Sequence, residues 1–192
     1  MTDFFNKYFN NFLELFKDIS NKDLNDCLNL FKIIKKRKKK IILLGNGGSA
    51  AIASHISVDL SKNAKIRSTN FNEADLITCL SNDYGHHNWM KAALSMYCDK
   101  GDVVILISSS GKSLNILNAA KWCKRKRIKL ITFSGNDKEN LLKKNNKQGI
   151  NFWINSKAYN YIEAMHLLLL MSITDHIIGK VVYKQKNLLG RK

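Results

Sequence analysis

Val103-Val104-Ile105-Leu106-Ile107, followed at once by Ser108-Ser109-Ser110-Gly111-Lys112-Ser113, is the stretch that decides the fold. So short a run of branched aliphatic residues reads as a strand buried on both faces. The turn of small residues behind it runs straight into helix-like sequence. An earlier stretch repeats the plan, with Ile41-Ile42-Leu43-Leu44 leading into Gly45-Asn46-Gly47-Gly48-Ser49. A strand, a small-residue turn and a helix N-terminus make an anion site, because unpaired backbone N–H groups and the positive end of the helix dipole aim at one spot. Glycine lets the backbone approach a ligand, and serine hydroxyls add donors. The expected ligand carries a phosphate. Neither loop contains G-x-x-x-x-G-K-[ST], and the dinucleotide fingerprint G-x-G-x-x-G is absent. This disfavours ATP and NAD, predicts no nucleotide cofactor, and leaves a small phosphorylated metabolite.

The rest of the chain alternates in the same way. Residues 3–19 carry a helical stripe crowded with aromatics (Phe4, Phe5, Tyr8, Phe9, Phe12, Phe16), and residues 22–36 read as a second helix. After the strand at 41–44 come a helix over about 49–62, a short strand near Ala74–Cys79 and a helix over about 86–98. The strand at 103–107 is followed by a helix over about 113–125 and a strand at 129–133. A polar loop at 135–149 leads to a strand at Asn151–Ile154, and a long helix runs from Tyr159 to Ile178. Strands alternating with helices predict an α/β domain with a parallel sheet covered on both faces. With no repeat and no low-complexity linker, residues 1–192 read as one domain, with helices at about 3–36 and a sheet core at about 41–180. The two leading helices carry more apolar surface than one sheet face needs, so they are expected to meet another subunit.

Composition narrows the function. The chain has 192 residues, of which 45% are hydrophobic, enough for a compact core. The N-terminus is amphipathic and contains an acid, which argues against a secretory leader. The apolar run Met165–Met171 is too short to span a bilayer. No membrane role and a cytoplasmic location are expected. Cys27, Cys79, Cys98 and Cys123 are scattered with no C-x-x-C pair, and read as buried thiols in a reducing compartment. The net charge of +17 raises nucleic acid as a partner. However, the basic runs Lys35–Lys40 and Lys124–Arg127 each end a helix and precede a strand. Cations there complement the helix dipole and sit on the edge opposite the ligand crevice. A lysine-rich, proline-free composition of the kind AT-rich codons give accounts for the charge, and nucleic acid is disfavoured.

Gly45-Asn46-Gly47-Gly48-Ser49, Asn82-Asp83-Tyr84-Gly85 and Ser108-Ser109-Ser110-Gly111-Lys112-Ser113, in this order and spacing, resemble the sugar isomerase (SIS) domain. Within that family they resemble the branch that isomerises sedoheptulose 7-phosphate, over about residues 5–180. The resemblance implies a flavodoxin-like, doubly wound sheet of five parallel strands with an N-terminal helical hairpin. It also implies a homotetramer with active sites at subunit interfaces. The implied activity is an aldose–ketose isomerisation to D-glycero-D-manno-heptose 7-phosphate, which supplies heptose for lipopolysaccharide or capsule. By the same resemblance, Ser108, Ser110 and Ser113 hold the phosphate, and Ser109 among them binds the substrate. Asn46, Gly47, Gly48 and Ser49 line the sugar, and Asp83 contacts its hydroxyls. As a bare sequence, Asn82–Gly85 reads equally as a turn.

The acid–base set departs from the family. The family places a glutamate four residues after a histidine on the helix behind the first loop, where this chain has His55 and Asp59. It places a glutamine and a histidine eight residues apart on the last helix, where this chain has Glu163 and Met171. In metal-bound members these residues surround zinc, so zinc on His55, Asp59 and Glu163 is implied. A thioether moves no proton, so Asp59 and Glu163 are expected to converge, across a subunit interface, with His55 beside them as metal anchor or polariser. His166, one turn after Glu163, is a further candidate. Core histidines at 55 and 166 and interface ion pairs at 59 and 163 are the alternatives. His86 and His87 follow the Asn82–Gly85 segment and read as surface residues. Met171 also keeps open a second function, a catalytically silent SIS protein that binds a sugar phosphate or a protein such as the replication initiator.

Overall fold

The computed structural model describes residues 2–182; Met1 and residues 183–192, the outer ends of the expected domain, lie outside the described residues. The elements run α1 (Thr2–Lys17), α2 (Asn21–Lys36), β1 (Lys40–Leu44), α3 (Gly48–Lys62), β2 (Arg67–Thr69), α4 (Ala74–Tyr84) and α5 (Trp89–Tyr97). They continue with β3 (Val103–Ser108), α6 (Leu114–Lys126), β4 (Lys129–Ser134), α7 (Leu141–Asn145), β5 (Ile150–Trp153) and α8 (Tyr159–Ile178). The five strands form one sheet in the order β2-β1-β3-β4-β5. Every pairing is parallel, with Leu44 opposite Leu106 and Ser108 opposite Ser134 at the carboxyl ends. Chain order reverses between β1 and β3, so the two small-residue loops flank the switch-point crevice where ligands bind in open α/β sheets.

Alternation along the strands builds two cores. Ile41, Leu43, Val103, Ile105 and Ile107 face one side, against α2, α3 and α8. Ile42, Leu44, Val104 and Leu106 face the other, against α4, α5, α6 and Leu142 of α7. Side chains on both faces of a strand explain why β1 and β3 are unbroken apolar runs. The α8 helix, at 20 residues, is long and apolar enough by length and composition to cross a membrane. The length argument from Met165–Met171 therefore does not decide the matter. The surroundings do, since Ile162, Met165, Leu169, Leu170 and Ile173 belong to the first core.

α1 buries none of its residues. It touches the body through Tyr8 and Phe12, whose rings lie 4.7 and 5.0 Å from that of Tyr161, and through Asn11, whose amide donates to the Tyr161 hydroxyl at 3.1 Å. Phe4, Phe5, Phe9, Leu13 and Phe16 are exposed.

Three expectations need correction. Ala74–Cys79 is helical, part of α4, because Leu76, Ile77 and Leu80 share one helix face and reach the second core. A short apolar cluster does not distinguish strand from helix. The second strand lies earlier, as three residues on the sheet edge. The polar stretch 135–149 contains α7, opened by Asn140, whose side chain accepts from the Lys143 backbone N–H. Of the four cysteines, all free, only Cys27 and Cys123 are buried, and Cys79 is exposed because it sits on the outer face of α4 rather than in a strand.

Candidate active site

After β1 the chain turns through Gly45–Gly47 into α3. Gly47 occupies the N-cap at φ 52° and offers no capping side chain, and the first turn of α3 holds no acidic residue. The carboxylate of Glu163, carried by α8, lies there instead. It is set so close against Gly48 that a Cβ at that position would displace it. Negative charge at a helix N-terminus is favoured by the dipole. The same carboxylate has Oε1 3.4 Å from the hydroxyl of Ser109. Glu163 therefore bridges the loop after β1 and the loop after β3.

The second loop is held from beneath. Ser108 accepts the Gly111 N–H at its carbonyl, 3.0 Å, and at its hydroxyl, 3.2 Å. Gly111 adopts φ 63°, and a Cβ there would strike the Asn140 side chain. The Leu142 N–H donates to the Gly111 carbonyl at 3.0 Å, so α7 braces this turn. Asn140 itself donates to the Ser134 hydroxyl at 3.1 Å. Ser110 accepts the Lys112 N–H at 3.3 Å. Ser113 is the N-cap of α6 and makes no side-chain capping bond. Ser110 and Ser113 are half-buried, while Ser108, Ser109 and Ser49 are buried. The open hydroxyls at this helix N-terminus are therefore those of Ser110 and Ser113.

A residue pair that sequence reasoning missed ties the loops together. Asn46 donates to Asn115 Oδ1 at 3.0 Å and Asn115 donates back to Asn46 Oδ1 at 2.9 Å. Asn115 Oδ1 also accepts the Ile116 N–H at 2.9 Å, and the residue is 3% exposed. A signal was present: Asn115 is a polar residue on the buried face of α6 that it shares with Ala119 and Trp122. Asn140 carried no comparable signal, because the helix it caps was not foreseen.

His55 and Asp59 meet on α3, with Nε2 and Oδ2 3.2 Å apart, and Asn63 donates to Asp59 Oδ1 at 3.0 Å. Asp175 of α8 faces Asp59; burial first, then the Asp59 charge, raises its carboxyl above the usual carboxylate range. α3 and α8 thus lie side by side in the same direction, start against start and end against end. Gly48 and Asp59 lie eleven positions apart on α3, a rise of about 16 Å along the helix axis, so within one chain Asp59 sits at the other end of the helix from the Gly48 turn that Glu163 touches. One chain brings together His55 with Asp59, and Glu163 with both loops, but does not bring the two groups to each other. Among the described residues, no group of three or more His, Cys, Asp or Glu side chains is placed to hold a metal ion. The set His55, Asp59 and Glu163 accordingly does not fit zinc within a single chain.

The other candidates fall as follows. Asp83 is exposed in the last turn of α4, a helix end closed by Gly85 at φ 79°, and accepts from Asn82 at 3.1 Å. His86 and His87 are exposed. His166 is fully buried against Phe133, with Nε2 3.1 Å from the Ser134 carbonyl. A carbonyl only accepts, so Nε2 carries the proton. Burial lowers its pKa to about 4, leaving it neutral near pH 7. Met171 lies on the outer side of α8. A hollow of 910 Å³ between α2 and the amino ends of β4 and β5, lined by Ile33, Arg127, Leu130 and Ile150, shares no residue with the loops.

Two glycine- and serine-rich loops thus flank the switch point of a 2-1-3-4-5 sheet, with a carboxylate between them. Residues 5–135 match the SIS domain, and the chain belongs to that family. Within it, the phosphoheptose isomerase of Buchnera aphidicola subsp. Acyrthosiphon pisum (strain Tuc7) is 31% identical over 189 residues, 94% of this chain and 93% of that protein. The fold agrees with two solved structures at 22% identity and TM-score 0.82. The phosphoheptose isomerase of Neisseria gonorrhoeae matches over 92% of this chain and 98% of its own, and that of Francisella tularensis over 93% and 98%.

Proposed function

We propose that the protein is an aldose–ketose isomerase that converts sedoheptulose 7-phosphate to D-glycero-D-manno-heptose 7-phosphate, in the cytoplasm, for surface polysaccharide. The observation that carries this reading is the carboxylate of Glu163 set between the two small-residue loops. Ser110 and Ser113, with the backbone N–H groups opening α6, hold the phosphate, and Ser108 shapes the turn beneath them. Gly47, Gly48, Ser49 and the Asn46 backbone flank the sugar, and Asp83 stands as a candidate for its hydroxyls. Isomerisation moves a proton between adjacent carbons through an enediolate, which requires a base beside those carbons and a donor for the oxyanion. Glu163 reaches the site from its own chain.

Asp59, paired with His55, lies toward the end of α3 away from Glu163, so in this reading the pair comes from a second copy. The exposed aromatic stripe of α1 supports assembly, since so large an apolar face is costly in water. A homotetramer is the proposed form. Because the donors do not gather in one chain, no step here runs through zinc; metal addition and chelation test the set a second copy would complete. Met171 supports the second reading, a binder without catalysis. The deciding experiment is an assay of the purified protein with sedoheptulose 7-phosphate, with and without zinc, alongside light scattering. Product formation by a tetramer is expected. A stable monomer, or no turnover of any sugar phosphate, defeats the proposal.

A further inference from the structure

The Glu163 carboxylate stands in the crevice. It is half-buried, lies against Gly48 and has Ser109 beside it at 3.4 Å. One turn along α8, His166 is fully buried and bonded to the Ser134 carbonyl at the end of β4, which pins this part of the helix against the sheet. Ser109 is 6% exposed, so its hydroxyl serves Glu163 rather than open solvent. A ligand anchored by phosphate on Ser110 and Ser113 therefore enters a crevice that already holds one negative charge. We propose that Glu163 selects substrates by charge, admitting sugar phosphates whose carbonyl end is uncharged and turning away sugar-acid phosphates. This rests on the sugar-phosphate reading of the site and adds the chemical class that it takes.

The physical basis is simple. The phosphate is accommodated by helix and hydroxyl dipoles that face it. A second anion on the same ligand finds no such provision and meets Glu163 in a partly desolvated cleft, where like charges interact more strongly than in water. Discrimination by a built-in repulsion, rather than by an added attraction, is a usual route to specificity.

Sorbitol 6-phosphate and 6-phosphogluconate form a matched pair, equal in length and phosphate and differing at carbon 1 by a carboxylate. Calorimetry would measure both, with inorganic phosphate as a third probe. The protein is expected to prefer the sorbitol ester by about tenfold or more, the scale of one like-charge contact in a cleft. In Glu163→Gln, or in Glu163→Ala should the amide variant not fold, the preference should shrink to within about threefold, with inorganic phosphate still bound. Glu163→Asp, which keeps the charge, should keep the preference. An unchanged ratio in the neutral variants, or a preference for the acid in the unmodified protein, overturns the inference. If none of the three probes binds, the sugar-phosphate reading falls first and takes this inference with it.

Discussion

At the end of β1, α3 begins with no capping side chain of its own and receives a carboxylate from α8; at the end of β3, α6 begins behind Ser113, with the half-buried hydroxyls of Ser110 and Ser113 before it. The two turns look alike in sequence, each a strand followed by glycines and serines. Both helix ends favour an anion. One is supplied from inside the molecule, and the other is left for a ligand. The difference lies in what a distant helix delivers to each loop. A small-residue turn marks a place where charge can be held, but not whose charge it is.

The largest effect should come from removing the carboxylates. Glu163→Gln and Asp59→Asn keep shape and lose basicity, so each should lower turnover about a hundredfold or more, measured as kcat on sedoheptulose 7-phosphate. Folding and assembly should survive. Full activity in both variants would remove the distinction between a chemical loop and a phosphate loop.

The next effect concerns the anchor beneath Glu163. His166 has a folded pKa of about 4 against 6.5 in the open chain, so the unfolded chain binds the extra proton between those values. Stability is fully present above pH 6.5 and falls as the pH drops toward 4, by roughly 3 kcal/mol for this group. Denaturant melts across this window should show the slope, and a His166→Gln variant should flatten it. An equal slope in that variant would mean that other groups govern acid sensitivity.

The smallest effect separates the serines. Ser110→Ala should weaken inorganic phosphate binding by about 1 to 2 kcal/mol, the scale of one charge-assisted bond. Ser109→Ala, whose hydroxyl faces Glu163, should change it far less. Equal losses would place Ser109 among the phosphate ligands after all.

Much of this was legible in the chain. β1 and β3 announce themselves because strands buried on both faces need no alternation, and α8 holds its apolar pattern from Tyr159 to Ile178. The edges were harder. β2 has three residues and pairs on one side, too little for a hydrophobic signature. Residues 74–79 are apolar enough for either period, and the tertiary environment chose the helix. α7 is five residues inside a lysine- and asparagine-rich segment, held by the Asn140 cap and a bond to Gly111. In the site, the loops could be read because glycine and serine serve there by type. The Asn46–Asn115 bridge was half legible: Asn115 stands out as a polar residue on a buried helix face, but nothing local says that it will meet an amide 69 positions away. A meeting of Asp59 and Glu163 across a subunit interface was implied by the family resemblance alone; its physical reason, two helices running in the same direction, was not visible in the chain.

That shared direction of α3 and α8 has a genetic consequence. If each site borrows Asp59 from one copy and Glu163 from another, a chain lacking only the first and a chain lacking only the second are damaged in different halves of the same machine. Mixed in one assembly, they place some intact halves face to face. Two silent alleles would then restore each other in part, whereas two alleles hit at the same position would not.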